Sequence, residues 1–236
     1  QVSRLPGAGR PCEPRFMTVL LRRVFLVATP LALAAVLWFH PPGGEPGAVY
    51  EGVRHDVGGW LFVHTVFLLF TPLMALAVFL LLRGLQSRAA TVSRVSLIVF
   101  LVFYTAYEVT VGLGTGILTD YANGLPAAEQ AVVADAIQHY NEDNILGDPA
   151  SVSLVAGLLG WVVAMVAAAV ALRRAGAGWA LTVLVGLSAL FAIHPPPVGP
   201  AALVCFALAV VLIERWWARL ARSEPAVAAG PPQPAS

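Results

Sequence analysis

The sequence predicts an all-α polytopic membrane bundle of six transmembrane helices with both termini in the cytoplasm. Three observations carry this. Apolar residues make up 58% of the 236 residues and charged residues only 11%, against about 25% charge in soluble domains. The apolar residues gather into runs near the ~20 residues needed to cross a ~30 Å hydrocarbon core. The arginines, finally, fall in alternate loops. Together these exclude a cytosolic enzyme, a nucleic-acid binder and a disulfide-stapled secreted domain.

The chain opens on Gln1, and residues 1–16 show no apolar periodicity. They read as a disordered leader upstream of a start at Met17, after which Arg22 and Arg23 precede the first apolar run. That run continues through Trp38 and Phe39 with no small-residue cleavage site before a polar segment, so it reads as a signal anchor.

The membrane domain spans 17–222, with helices at about 23–40, 59–82, 95–118, 151–172, 177–193 and 198–214. The last two are short and reach about 25 Å. A tight helical hairpin turning at His194-Pro195-Pro196-Pro197 is the simplest account, and a re-entrant hairpin is its alternative. Residues 223–236 read as a disordered Pro/Ala-rich tail.

Arg22, Arg23, Arg83, Arg88, Arg94, Arg173, Arg174, Arg215, Arg219 and Arg222 fall on one side of this topology, and only Arg54 on the other. The positive-inside rule makes the first side cytoplasmic and predicts a multi-pass protein of the cell membrane, N-in and C-in. Glu45, Glu51, Asp56, Asp120, Glu129, Asp135, Glu142, Asp143 and Asp148 lie outside. The chain has no lysine, which removes P-loop and Schiff-base chemistry. The Arg-only, Ala/Gly/Pro-rich usage resembles a bacterial coding bias. Cys12 and Cys205 lie too differently to form a disulfide or a zinc site.

The outer loop 119–150 contains a helical pattern over Pro126–Tyr140, with Val133, Ile137 and Tyr140 in one stripe. It predicts a lid helix lying on the outer membrane surface.

All five histidines fall on the outer side. Two end apolar segments in the same way, WFHPP at His40 and AIHPP at His194. A residue before proline is pushed out of helical geometry, so both helices should stop at the histidine, either as a helix stop used twice or as two rigid groups facing one vestibule. His55 and Asp56 complete the expected rim.

Glu108 is the most informative residue. Ten residues from the expected outer end of span three, it lies ~15 Å deep, where an ionisable group costs at least about 2.5 kcal/mol and must face the bundle interior. Tyr104, Glu108, Gly112 and Thr115 share one helical face. Glu108 is read either as a working acid or as interhelical glue bonded to a Tyr or Thr. Gly112 and Gly116 form a small-xxx-small pair for close helix packing, not a phosphate loop. His64 lies one turn beyond Trp60 and, by residue count, ~7 Å shallower than Glu108, so the two should meet only through helix tilt or water.

The expected site therefore has Glu108, His64 and Tyr104 as catalytic residues and His40, His55, Asp56 and His194 at the rim. His40, His64 and His194 are expected to open into one outer cavity with Glu108 at its floor. These three histidines are also candidate ligands for a divalent metal ion. The function read from this is a membrane-embedded enzyme or metal-binding protein acting on a lipid-like or small-molecule substrate, with the bilayer as its partner and no nucleic acid. The alternatives are a small proton-coupled transporter with Glu108 as the protonated site, or a non-catalytic accessory subunit. No hydrolase or metalloprotease motif is present, and nothing in the chain sets an oligomeric state.

Overall fold

A computed structural model describes residues 14–44, 47–148 and 150–223. All the regular structure in them is helical: α1 (Pro14–Leu37), α2 (Val49–Val53), α3 (Val57–Leu81), α4 (Arg88–Tyr107), a π-helical segment (Glu108–Gly114), α5 (Thr115–Asn123), α6 (Ala127–Asn141), α7 (Val152–Arg174), α8 (Trp179–Leu187), a 3₁₀ segment (Ser188–Ala192) and α9 (Val198–Ser223). Most of the expected leader and tail, and Glu45, lie outside the described residues. Pro14, Arg15 and Phe16, expected in the leader, already belong to α1, and Ser223, expected in the tail, is the last residue of α9.

Among the described residues, five helices are long and apolar enough to cross a membrane: Leu20–Leu37, Val57–Leu81, Arg88–Asn123, Val152–Arg174 and Val198–Arg215. The remaining expected span is the shorter apolar stretch Trp179–Ala192. Its last five residues are wound as a 3₁₀ helix, which rises about 2.0 Å per residue, so the stretch covers about 24 Å.

Helix starts follow their caps. The Asp56 carboxylate accepts from Gly59 N–H at 3.0 Å, Ser87 Oγ from Ala90 N–H at 3.2 Å, and Ser151 Oγ from Leu154 N–H at 3.2 Å. Each satisfies a donor that the first turn leaves open. The helices that precede the two His-Pro-Pro sequences end early. α1 stops at Leu37, and Phe39 and His40 donate to the carbonyls of Val36 and Leu37. These i→i+3 bonds tighten the last turn, so the helix is already unwinding before the proline restriction at His40 applies.

The outward helix surfaces are apolar: Leu21, Phe62, Leu69, Ile98, Val102 and Leu159 are all exposed. A soluble bundle would place polar residues there. Inside, α4 and α7 lie closest. A Cβ on Gly160 would meet Phe100 N at 2.7 Å, and one on Gly157 would meet the Tyr104 backbone at 3.0 Å, so both glycines are needed for that approach. Ser93 Oγ donates across the same seam to Ala164 O at 2.8 Å.

α9 returns beside α1. Arg22 and Arg23 of α1 both reach Glu214 of α9, at 2.6 and 2.9 Å. The helix expected over 126–140 is α6. Part of its stripe is covered by protein: Ile137 is buried against Tyr50 of α2 and Ala122 of α5, with Val133 packed beside them, while Tyr140 stays exposed.

Candidate functional site

The site lies where the start of α3, the π segment, the end of α1 and the segment after the 3₁₀ turn come together. A cavity of about 450 Å³ opens there, within the range of about 300–1,000 Å³ usual for small-molecule pockets. His40, His64 and His194 all line it. The His40 ring stands 5.2 Å from that of His64 and 5.2 Å from that of His194, centroid to centroid. Topology thus delivers three distant histidines to one chamber, on His-Pro-Pro segments for two of them.

Glu108 is fully buried and lies 2.8 Å through Oε2 from His64 Nδ1. The residue count that separated them in depth took the third span to end at Leu118. The helical run is in fact continuous from Arg88 to Asn123, far more than a ~30 Å core requires, so depth counted from Leu118 does not apply. The π turn that begins at Glu108 also resets the helical face. Two contacts then hold α3 against it. Trp60 Nε1–H donates to Gly112 O at 2.7 Å. A Cβ at Gly116 would meet Leu61 Cδ2 at 2.6 Å, so its hydrogen lets α3 approach. Glu108 is not the floor of the cavity; it stands behind His64, which lines the wall.

Behind the lining, an aromatic cluster packs against His194. Phe67 packs on His194 at 5.3 Å and on Phe191 at 6.0 Å between centroids. Phe191 meets Trp161 at 5.2 Å, and Phe100 meets Tyr104 at 5.2 Å. Tyr104 OH comes to 3.5 Å from His194 Nδ1. The opposite wall comes from the lid: Gln138, Asn141, Glu142 and Asp148 line the cavity. Asn141 is buried and pinned to Thr115 by bonds of 3.1 and 2.8 Å. Tyr107, beside Glu108 in sequence, donates to Asp148 Oδ1 at 3.2 Å. Burial raises the Asp148 carboxyl above its ordinary value, against the lowering effect of that Tyr107 bond.

Two expected rim residues are elsewhere. His55 is exposed on the turn between α2 and α3, and Asp56 is spent as the cap of α3. Neither lines the cavity. The divalent-metal site is not what the geometry builds either: among the described residues no group of three or more His, Cys, Asp or Glu is placed to hold a metal ion. The histidine rings meet tilted or edge to face, at 79° for His40 and His64 and 56° for His40 and His194. Tyr107, Gln138 and Asn141 were not anticipated as site residues. Only Tyr107 carried a signal, as a second tyrosine beside a buried acid.

No family model matches this chain, and comparison with curated proteins and with solved structures finds no significant match. What defines its class is therefore the fold itself: among the described residues, an all-helical bundle with five apolar helices of membrane-crossing length. Within that class, the distinguishing feature is a buried carboxylate–imidazole pair behind a three-histidine chamber.

Proposed function

We propose that this chain is a six-pass protein of the cell membrane, with both termini in the cytoplasm. Its outward-facing chamber performs acid–base chemistry on a small or lipid-like molecule. The observation that carries this reading is the 2.8 Å contact between His64 Nδ1 and Glu108 Oε2, with the His64 ring facing the cavity. A buried carboxylate that bonds one ring nitrogen orients the imidazole and stabilises its charged form, leaving the other nitrogen to give or take a proton. Tyr104 is a positioning residue at His194.

Helix ends support the topology. The start of α1 and the late part of α9 are joined through Arg22, Arg23 and Glu214. The stretch Trp179–Ala192 leads from the Arg173–Arg174 end of α7 to His194 in the chamber. The arginine-rich ends all lie away from the chamber, which the positive-inside rule makes extracellular.

A proton-coupled transporter would need polar groups beyond the aromatic cluster around Phe67. There, Thr71 and Ser93 are buried but bonded to the carbonyls of Phe67 and Ala164. Around them lie Met74, Val78, Leu97, Met165 and Leu203, all buried, and these offer no relay. That favours one-sided chemistry.

The test uses the full chain purified in a neutral maltoside detergent, with a panel of amphipathic ester, amide and phosphodiester substrates. Turnover is expected in the parent and lost at least a hundredfold in both Glu108→Gln and His64→Gln, with unfolding temperatures kept. A folded Glu108→Gln protein that retains parental turnover defeats the reading. Proton uptake by proteoliposomes that depends on Glu108 would favour transport instead.

A further inference from the structure

Several side-chain donors of the chamber are already committed. Trp60 Nε1–H is committed to Gly112 O, and Tyr107 OH to Asp148. Gln138 Nε2 donates to Glu142 Oε1 at 2.6 Å. Asn141 Nδ2 donates to Thr115 Oγ1 and to Ile137 O. The acceptors are not used up in the same way. His40 Nδ1 donates to Pro41 O at 2.6 Å, and a carbonyl only accepts, so the His40 proton is on Nδ1 and Nε2 carries a lone pair. His64 Nδ1 is engaged with Glu108 Oε2, which leaves Nε2 as its free ring nitrogen. Both Nε2 atoms are buried and have no partner in the protein, and His64 as a whole is only 3% exposed. Unpaired polar atoms buried this deep are costly, and the His40 Nε2, an acceptor, points to a ligand that donates.

Charge and shape narrow the ligand. The lining carries two carboxylates, Asp148 and Glu142, with Glu108 behind His64, and no arginine among the described residues. Three imidazoles are crowded together through His40, where like charges would disfavour one another. Val111, Leu154, Leu158 and Ile193 form an apolar side to the same cavity. Trp60 and Tyr107 add aromatic faces, which attract cations.

We propose that the chamber binds an organic ammonium ion carried on an apolar tail, its N–H groups meeting His40, His64 and Asp148 while the tail lies against Leu154, Leu158 and Ile193. This rests on the chamber being the functional site, as read above. An ammonium offers three donors and no acceptor, the complement of two carboxylates and the His40 lone pair; a phosphate or carboxylate headgroup would meet the like charge of Asp148 and Glu142.

The experiment compares octylammonium, octanol and octanoate, each below its micellar concentration, as ligands of the full chain in maltoside detergent. Saturable shifts of the thermal unfolding midpoint are read. Octylammonium is expected to bind at least tenfold more tightly than octanol, with octanoate weakest. Asp148→Asn should remove about tenfold of the octylammonium affinity, the scale of a lost hydrogen bond to a charged group, and leave octanol unchanged. Leu158→Phe, which fills the apolar side, should weaken both. Octanoate or octanol binding as tightly as octylammonium, or indifference to Asp148→Asn, overturns the cation assignment; if Leu158→Phe still weakens binding, the chamber survives as a site. No saturable shift with any of the three probes defeats both readings.

Discussion

His64 Nδ1 lies 2.8 Å from Glu108 Oε2, and the hydrogen of Gly112 is what leaves room for that contact. A methyl group at 112 would stand 2.5 Å from the same nitrogen and 2.9 Å from the same oxygen. Glycine is therefore part of the site without taking part in its chemistry. Trp60 seals the arrangement by donating to the Gly112 carbonyl, so one residue of the π turn is held from both sides by α3.

Gly112→Ala is accordingly expected to destabilise the protein by about 1–3 kcal/mol, the usual cost of overpacking. That outweighs the ~1 kcal/mol of helix propensity that alanine would return, because both atoms it would strike belong to the buried pair. Chemical or thermal unfolding in detergent measures the change. Binding or turnover should fall with it. A stabilised Gly112→Ala protein would mean that the His64–Glu108 contact is loose.

Asp148 makes stability depend on pH. Burial raises its carboxyl above the ordinary 3.8, so folding favours the protonated form. That contribution is complete below the ordinary value and is lost as pH rises through the raised one. Because the side chain stands partly open to water, the effect should stay under about 1 kcal/mol. Unfolding midpoints between about pH 3 and 6 should decline in the parent relative to Asp148→Asn, whose amide does not titrate. Parallel curves for the two proteins would remove Asp148 as the source.

At the opposite end, Arg22 and Arg23 share Glu214, whose side chain is only 13% exposed. Replacing Glu214 with Gln should cost about 1 kcal/mol, the upper range for a partly exposed pair. Once it is gone, Arg22→Ala should cost almost nothing more. A double-mutant cycle on unfolding free energies checks this. Additive losses would show that Arg22 does not act through Glu214.

Orientation is tested by single cysteines placed in a Cys12→Ser, Cys205→Ala background. A cysteine at Asp143 should react with an impermeant maleimide from outside intact cells. Cysteines at Ser87 and Ala175 should react only after lysis. Outside labelling at Ser87 would invert the topology and place the chamber on the cytoplasmic face.

The sequence by itself determined the helical class and the segments that are apolar enough to cross a bilayer. Hydropathy and length are local properties, summed along the chain, and no tertiary contact is needed to read them. It also marked Glu108 as a buried acid and His40 and His194 as groups at helix ends, because a charge in hydrocarbon and a proline after a helix each constrain the chain locally. Tertiary structure decided everything that depends on neighbours. Only packing shows that α1, α3 and the segment after the 3₁₀ turn meet, which turns three separate histidines into one chamber. Only the π turn and the glycines at 112 and 116 bring α3 close enough for His64 to touch Glu108, since a count at constant rise cannot see a change of helical winding. The lid followed the same logic. Its apolar stripe was legible, but whether lipid or protein covers it depends on which surface is nearest, and at Ile137 that is Tyr50 and Ala122. The side on which His40 carries its lone pair is set by its hydrogen bond to Pro41 O, which no spacing in the chain records.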